Sequence, residues 1–345
     1  MRNPVPDFLK GIAVLLMIQV HVAEILLKPQ FYSDWVGQVA LFLGGLPAAP
    51  IFMVIMGYYL GKSKSQGWKF LVRSAYLFGG GVLLNIGLNF SLLITQWVEP
   101  IPFEGYSAWN YIFGVDILLF AGLATLIIGF LKKLVLPKPY VWMALAVAVV
   151  VVSQLMPIWF SAQAREGYIM AFISGSSFWS YFPLFPWLAY PLTGIAFALF
   201  EEQYKLYPTF VRNAVGTFAL LYFAWQFAPS FAVSIDLHTY YHHGLEFYLW
   251  ALAGMTLWAL AAKWLLGHLA QNLLLKQVCR IGKRVTIIYV IQWLLIGNLA
   301  TLGWYKTLSP SQYLVWSVLL IIASSVLGWL WLNLYARLRH NPGVI

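Results

Sequence analysis

His21 and Glu24 lie three residues apart inside an apolar run long enough to cross a bilayer, and the same run opens with Asp7-Phe-Leu-Lys10-Gly11. On a helix turning ~100° per residue, Asp7, Lys10, His21 and Glu24 share a sector of roughly 100°. Charge in hydrocarbon costs several kcal/mol, so such a stripe is expected to face a protein interior or a wet cavity. Histidine is the one side chain whose ordinary pKa lets it act as acid or base near neutrality. A carboxylate nearby would fix its tautomer and stabilise the imidazolium. Asp116, Asn85 and Asn89 are further polar groups set within apolar segments, and the two asparagines have the i, i+4 spacing of one helix face. No G-x-S-x-G or HExxH motif occurs. The chemistry left to His21, Glu24 and Asp116 is proton abstraction from an acceptor hydroxyl or amine, or transient acylation of the imidazole. A buried polar network that fixes helix packing, with Asn85 and Asn89 as its members, stays open beside it.

The elements that must position these residues are membrane helices. The 345 residues are 61% hydrophobic and only 9% charged, against about 25% charged in a soluble domain. Apolar segments recur at about 8–28, 40–60, 70–95, 110–131, 141–160, 180–200, 212–230, 246–266, 285–303 and 312–334. Each is near the ~20 residues that a spanning helix needs. The expected fold class is therefore all-α: a polytopic membrane protein of about ten transmembrane helices, forming one domain over residues 1–345. The first run holds His21 and Glu24 and lacks an A-x-A-like cleavage site, so it is expected to be an uncleaved span.

Loop charges test that count. With the N-terminus inside, the inner loops receive Arg2, Lys10, Lys62, Lys64, Lys69, Arg73, Lys132, Lys133, Lys138, Lys205, Arg212, Lys263, Lys276, Arg280, Lys283, Arg284, Arg337 and Arg339. Only Lys28, Arg165 and Lys306 fall outside. This asymmetry predicts cytoplasmic N- and C-termini, and the expected location is a bacterial-type inner (plasma) membrane. The net charge of +10 is thus topological, and no nucleic-acid partner is expected. The alternation also places His21, Glu24, Asn85, Asn89 and Asp116 in the outer halves of the first, third and fourth helices. Helix breakers crowd two segments: Gly44, Gly45, Pro47 and Pro50 in the second, and Pro183, Pro186 and Pro191 in the sixth.

Three other motifs carry weaker chemistry. Asp236-Leu-His238-Thr-Tyr240-Tyr241-His242-His243 reads as an outer surface loop with acceptor recognition as its functional alternative, and no metal site is expected of it. The run Arg280-Ile-Gly-Lys283-Arg284 either meets phosphates or sets topology. Glu201-Glu202 reads as a solvated helix end. A single cysteine, Cys279, excludes an internal disulfide.

The order of motifs resembles the membrane acyltransferase-3 superfamily, and most closely its heparan-alpha-glucosaminide N-acetyltransferase-like relatives. Asp7-x-x-Lys10-Gly11 leading to His21 is similar to the superfamily's opening. Pro47-Ala-Ala-Pro50-Ile-Phe-Met-Val-Ile-Met-Gly57, Asp116-Ile-Leu-Leu-Phe-Ala-Gly122 and Phe182-Pro-Leu-Phe-Pro186-Trp-Leu-Ala-Tyr-Pro191 follow, and Gly282-Lys-Arg-Val-Thr-Ile-Ile-Tyr289-Val-Ile-Gln292 is similar to the penultimate signature. Lys10 stands where arginine is usual, and Gln292 where relatives often carry histidine.

The resemblance implies an enzyme that passes an acyl group, acetyl first, from cytoplasmic acetyl-CoA or another acyl-CoA to a sugar or glycolipid reached from the other face. It implies His21 as base or acyl carrier, with Asp116 in the fourth-helix motif. Lys10, Arg73, Arg280, Lys283 and Arg284 are expected to hold the coenzyme. Asp7, Asn85, Asn89 and Gln292 are assigned to the substrate or structural network. Expected partners are acyl-CoA, a carbohydrate or glycolipid acceptor and the lipid bilayer, with a homo-oligomer left open. The rival readings are a proton-coupled transporter with His21, Glu24 and Asp116 as a relay, and a non-catalytic membrane scaffold.

Overall fold

The computed structural model describes residues 3–64, 67–98, 108–159, 167–175, 179–204, 209–269 and 271–340. Among them the regular structure is helical, with one isolated parallel bridge between Leu27 and Leu308. Nine helices or merged pairs of the described residues are long and apolar enough to cross a membrane, and ten if the pair Thr209–Trp225 and Phe227–Ile235, bent by 67°, is one span. All ten apolar segments therefore have a helical counterpart, and the protein is a multi-pass membrane protein. Arg2, Arg165 and Lys205 of the charge pattern lie outside the described residues.

In chain order the helices are α1 (Val5–Leu26), α2 (Trp35–Gly45), α3 (Ala49–Lys62), α4 (Trp68–Leu88), α5 (Phe90–Val98), α6 (Ala108–Ile112), α7 (Ile117–Leu134), α8 (Pro139–Trp159) and α9 (Tyr168–Ile173). They continue as α10 (Leu184–Trp187), α11 (Ala189–Gln203), α12 (Thr209–Trp225), α13 (Phe227–Ile235), α14 (Leu237–Tyr241), α15 (Leu245–His268), α16 (Leu273–Lys283), α17 (Val285–Leu299) and α18 (Pro310–His340). The expected breakers act where they stand. The second segment parts into α2 and α3 around Pro47, and Pro50 sits in the first turn of α3, where its missing N–H costs nothing.

The 70–95 segment is two helices rather than one, broken at Asn89. A break in a span frees backbone groups that need partners. Asn298 of α17 supplies them: its Nδ2 donates to the Gly87 carbonyl at 2.9 Å, and its Oδ1 accepts from the Ser91 hydroxyl at 3.0 Å and the Ser91 N–H at 3.4 Å.

Contacts group the chain into two compact units. The first comprises Met1–Gly44, Gly87–Val98 and Ala261–Ile345. Here α1 is the central helix, packed by α16, α17 and α18. Two glycines bring α16 against α1 backbone to backbone. A Cβ on Gly11 would lie 2.1 Å from the Val278 carbonyl oxygen, and one on Gly282 would lie 1.8 Å from that of Asp7. Without a strong hydrophobic drive between helices in lipid, such small-residue contacts are what allow close packing. Gln19 adds a polar tie, its Nε2 donating to Ala40 O at 2.9 Å while its Oε1 accepts from the Tyr313 hydroxyl.

The second unit comprises Gly45–Ile86 and Glu99–Leu260. Its centre is the α3–α11 pair, again seated on glycines: Gly57 against the Pro191 carbonyl and Gly194 against that of Val54. Glu201, expected as a solvated helix end, is half-exposed but paired with Lys62 at 2.6 Å and with the Tyr58 hydroxyl at 2.5 Å.

Candidate active site

α1 and α17 run side by side in the same direction, and three contacts follow the first helix in order. Gly282, just before α17, meets Asp7; Gln292 meets His21; and the loop after α17 meets Glu24. At 1.5 Å per residue, the Lys10 and His21 levels of α1 are roughly 16 Å apart. The helix therefore carries three polar groups: one around His21, one at Glu24 near its C-terminal end, and the Asp7–Lys10 pair at the other end.

His21 forms the first of them with consecutive residues of α17. Its Nδ1 lies 3.1 Å from Oε1 of Gln292, and its ring stacks on Trp293 with centroids 4.0 Å apart and planes 30° apart. An amide oxygen only accepts, so with Oε1 facing the ring, Nδ1 carries the proton and donates it. The lone pair is then on Nε2, the form needed in a base. Gln292 is the orienting group, where the sequence suggested a carboxylate. It is fully buried, and its Nε2 has no hydrogen-bond partner among the described residues; the buried Nε1 of Trp293 has none there either.

Glu24, one turn further along, belongs to a second cluster at the C-terminal end of α1. The chain leaves α17 through the turn Ala300–Trp304, with Gly303 at φ 104° and Lys306 at φ 56°, and comes back beside α1. Lys306 N–H donates to Ile25 O at 3.1 Å, Leu308 N–H to Leu26 O at 2.8 Å and Lys28 N–H to Leu308 O at 3.1 Å. Positive φ is uncommon for a lysine. Here it turns Nζ onto the Glu24 carbonyl and the Tyr32 hydroxyl. Tyr32 in turn donates to the carbonyls of Glu24 at 2.9 Å and Ala23 at 3.1 Å. Burial lowers the Lys306 ammonium to about 8, opposed by the negative charge of Glu24, and burial raises the Tyr32 hydroxyl. Sequence reasoning missed Lys306, Tyr32 and Trp293. The one available signal was that Lys306 is among only three basic residues assigned to the outer loops.

At the opposite end of α1, Asp7 is buried and bridged to Lys10 at 3.0 Å. The opening motif thus gains a packing reason, because Gly11 and the Asp7 carbonyl are the surfaces on which α16 rests. α16 begins with Asn272 as its cap, Oδ1 accepting from Leu275 N–H at 3.1 Å. Arg280 and Lys283 are exposed on this helix and Arg284 is partly buried just after it. Lys10, Arg280, Lys283 and Arg284 therefore occupy one end of the first unit.

The remaining candidates belong to the second unit. Asp116 is the N-cap of α7, its Oδ1 accepting from Leu118 N–H at 2.6 Å. Asn85 is buried and its Nδ2 donates to the carbonyls of Ile112 at 3.0 Å and Gly114 at 2.9 Å. Arg73 is exposed on α4. Asn89, at the α4–α5 break, falls in the first unit. Within the first unit His21 meets α17 and the returning loop meets the Glu24 carbonyl; within the second, Asp116 caps α7 and Asn85 ties down the carbonyls just before it.

The 236–243 stretch is more interior than a surface loop. Asp236 caps α14, accepting from His238 N–H at 3.1 Å and the Thr239 hydroxyl at 2.7 Å. His243 is 1% exposed, with Nδ1 donating to Tyr240 O at 2.7 Å and Nε2 accepting from the Tyr190 hydroxyl at 2.8 Å. Both ring nitrogens are used, and Trp187, Tyr240 and Phe247 enclose the ring. Burial lowers its pKa to about 4. Both nitrogens of this ring are engaged, whereas only Nδ1 of His21 has a partner among the described residues.

A family model described as heparan-alpha-glucosaminide N-acetyltransferase, catalytic, matches residues 2–227. The matched stretch contains His21, Glu24, Lys10, Arg73 and Asp116, and it ends before α16, α17 and the loop that carries Lys306. No curated protein and no solved structure matches the chain. The motif resemblance and the match over most of the chain agree: this protein belongs to the heparan-alpha-glucosaminide N-acetyltransferase catalytic family.

Proposed function

We propose that the protein is a transmembrane acetyltransferase that moves an acetyl group from cytoplasmic acetyl-CoA to an amine or hydroxyl of a sugar or glycoconjugate presented at the other face, with His21 as the general base. The observation that carries this reading is the His21–Gln292 hydrogen bond, which leaves Nε2 of a membrane-embedded imidazole as acceptor inside the family-matched stretch. The basic side chains Lys10, Arg280, Lys283 and Arg284, at one end of the first unit, suit the phosphates of the coenzyme. The distribution of basic residues supports a cytoplasmic location for that end of α1 in a bacterial-type inner membrane.

In the proposed reaction the acceptor N–H or O–H gives its proton to His21 Nε2 as its lone pair attacks the thioester carbonyl carbon. The carbonyl π pair moves onto oxygen. The tetrahedral centre then collapses, the C–S bond breaks, and the departing thiolate takes the proton from Nε2. Gln292 holds the imidazole through Nδ1–H, and Trp293 limits its rotation. Glu24, Lys306 and Tyr32, one turn away, are assigned to the acceptor side.

The deciding experiment is acetyl transfer in membranes from radiolabelled acetyl-CoA to glucosamine-type acceptors, comparing wild type with His21→Ala. Loss of a positioned base typically costs about 10²–10⁴ in rate, so transfer is expected to fall to background. An unchanged rate removes the assignment of His21. Substrate movement without acyl-CoA in proteoliposomes would favour the transporter reading instead.

A further inference from the structure

Gln292 and Trp293 present a feature that the orientation of His21 does not use. Their side-chain N–H groups are buried, and no acceptor among the described residues meets Gln292 Nε2 or Trp293 Nε1. A buried donor left unpaired costs about 1–3 kcal/mol, so native proteins seldom keep one without a use. Here there are two on consecutive residues, both attached to groups that touch the same imidazole, through a 3.1 Å hydrogen bond and a 4.0 Å stack. The amide nitrogen is joined to the same carbon as the oxygen that faces His21. Both donors are thus carried by side chains that touch the imidazole.

We infer that Gln292 Nε2 and Trp293 Nε1 form a donor pair for the acyl carbonyl oxygen, binding it in the ground state and holding the oxyanion that develops as the acceptor attacks. The inference rests on the acyl-transfer reading above and adds to it the group that stabilises charge on oxygen. One glutamine then serves two atoms of the reaction: its carbonyl fixes the proton on His21 Nδ1, and its NH₂ meets the negative charge. Preorganised donors aimed at developing charge in a water-poor site are among the largest contributions to catalysis.

Gln292→Glu at pH 8 separates the two jobs. The carboxylate still accepts from Nδ1–H but has no N–H to offer. Trp293→Phe likewise keeps a ring for stacking and removes the donor. The probes are two uncleavable coenzyme A thioethers, one with an acetonyl group that carries a ketone and one with a propyl group of similar size. Binding to purified protein in nanodiscs is measured by calorimetry, alongside acetyl transfer.

Wild type is expected to bind the acetonyl probe at least tenfold more tightly than the propyl probe. Both variants are expected to lose most of that preference while binding the propyl probe within about twofold of wild type, which also reports that they are folded. Acetyl transfer in Gln292→Glu is expected to fall about 10²–10³-fold in kcat, the usual effect of removing one such donor. If both variants keep the preference for the ketone, the donor pair is refuted while the transferase reading stands. If wild type binds neither thioether, the acyl-CoA reading fails and the donor pair with it.

Discussion

Gly282 sits so close to Asp7 that a single added Cβ would stand 1.8 Å from the Asp7 carbonyl oxygen. This contact fixes where α16 meets α1, and through it where α17 starts relative to His21. Gly282→Ala must push two backbones apart, and Gly11→Ala does the same against Val278, with its Cβ 2.1 Å from the carbonyl oxygen. Overpacking of this kind costs typically about 1–3 kcal/mol, and more when backbone rather than side chain must move. Both variants are expected to lower the melting temperature of the detergent-solubilised protein. Alanine at Gly79, which has open space around its would-be Cβ, is the control expected to leave it nearly unchanged.

Asp116 offers a test of cap against chemistry. As N-cap it satisfies Leu118 N–H, and capping residues replaced by alanine cost about 0.5–2 kcal/mol while asparagine caps nearly as well as aspartate. Asp116→Ala is therefore expected to destabilise by that amount and Asp116→Asn by much less. Acetyl transfer measured on the stable asparagine variant then isolates the charge. Retained activity assigns Asp116 to the cap, and a loss greater than tenfold assigns its carboxylate to the reaction.

His243 makes stability depend on pH in a defined direction. Its pKa is lowered from the ordinary 6.5 to about 4 because the charged ring would be buried without water. Between those values the unfolded chain binds a proton that the folded protein does not, so stability falls as the pH drops. The contribution of the neutral ring is fully present above pH 6.5 and is lost progressively towards pH 4. Each pH unit across that window removes about 1.4 kcal/mol, so the loss reaches about 3 kcal/mol. Unfolding midpoints of wild type and His243→Gln, followed from about pH 8 down to pH 4, are expected to converge as the pH falls. Parallel curves would show that His243 does not titrate in this way.

Much of the architecture was legible because membrane spanning is a one-dimensional property. A helix must offer about 20 apolar residues in a row to cross the hydrocarbon, and each of the ten runs does so without reference to any other part of the chain. The motif order likewise led to the family that the match over residues 2–227 establishes. Local breaks were partly visible: Pro47 divides its segment as expected. The break at Asn89 was not, because Asn298, which partners the freed groups, lies 207 residues beyond Ser91.

The sequence by itself determined the helical membrane class, the family and the placing of His21 on a polar stripe of α1. Each follows from residue type and spacing along one chain direction. Only the tertiary structure decided what His21 touches. Its partner Gln292 is 271 residues distant, and nothing in the spacing within α1 distinguishes that amide from Glu24 one turn away. The choice was made by helix packing. Gly11 and Gly282 bring α16 onto α1, α17 then runs alongside α1, and the register of that pair sets Gln292 and Trp293 on the imidazole while the returning loop engages Glu24.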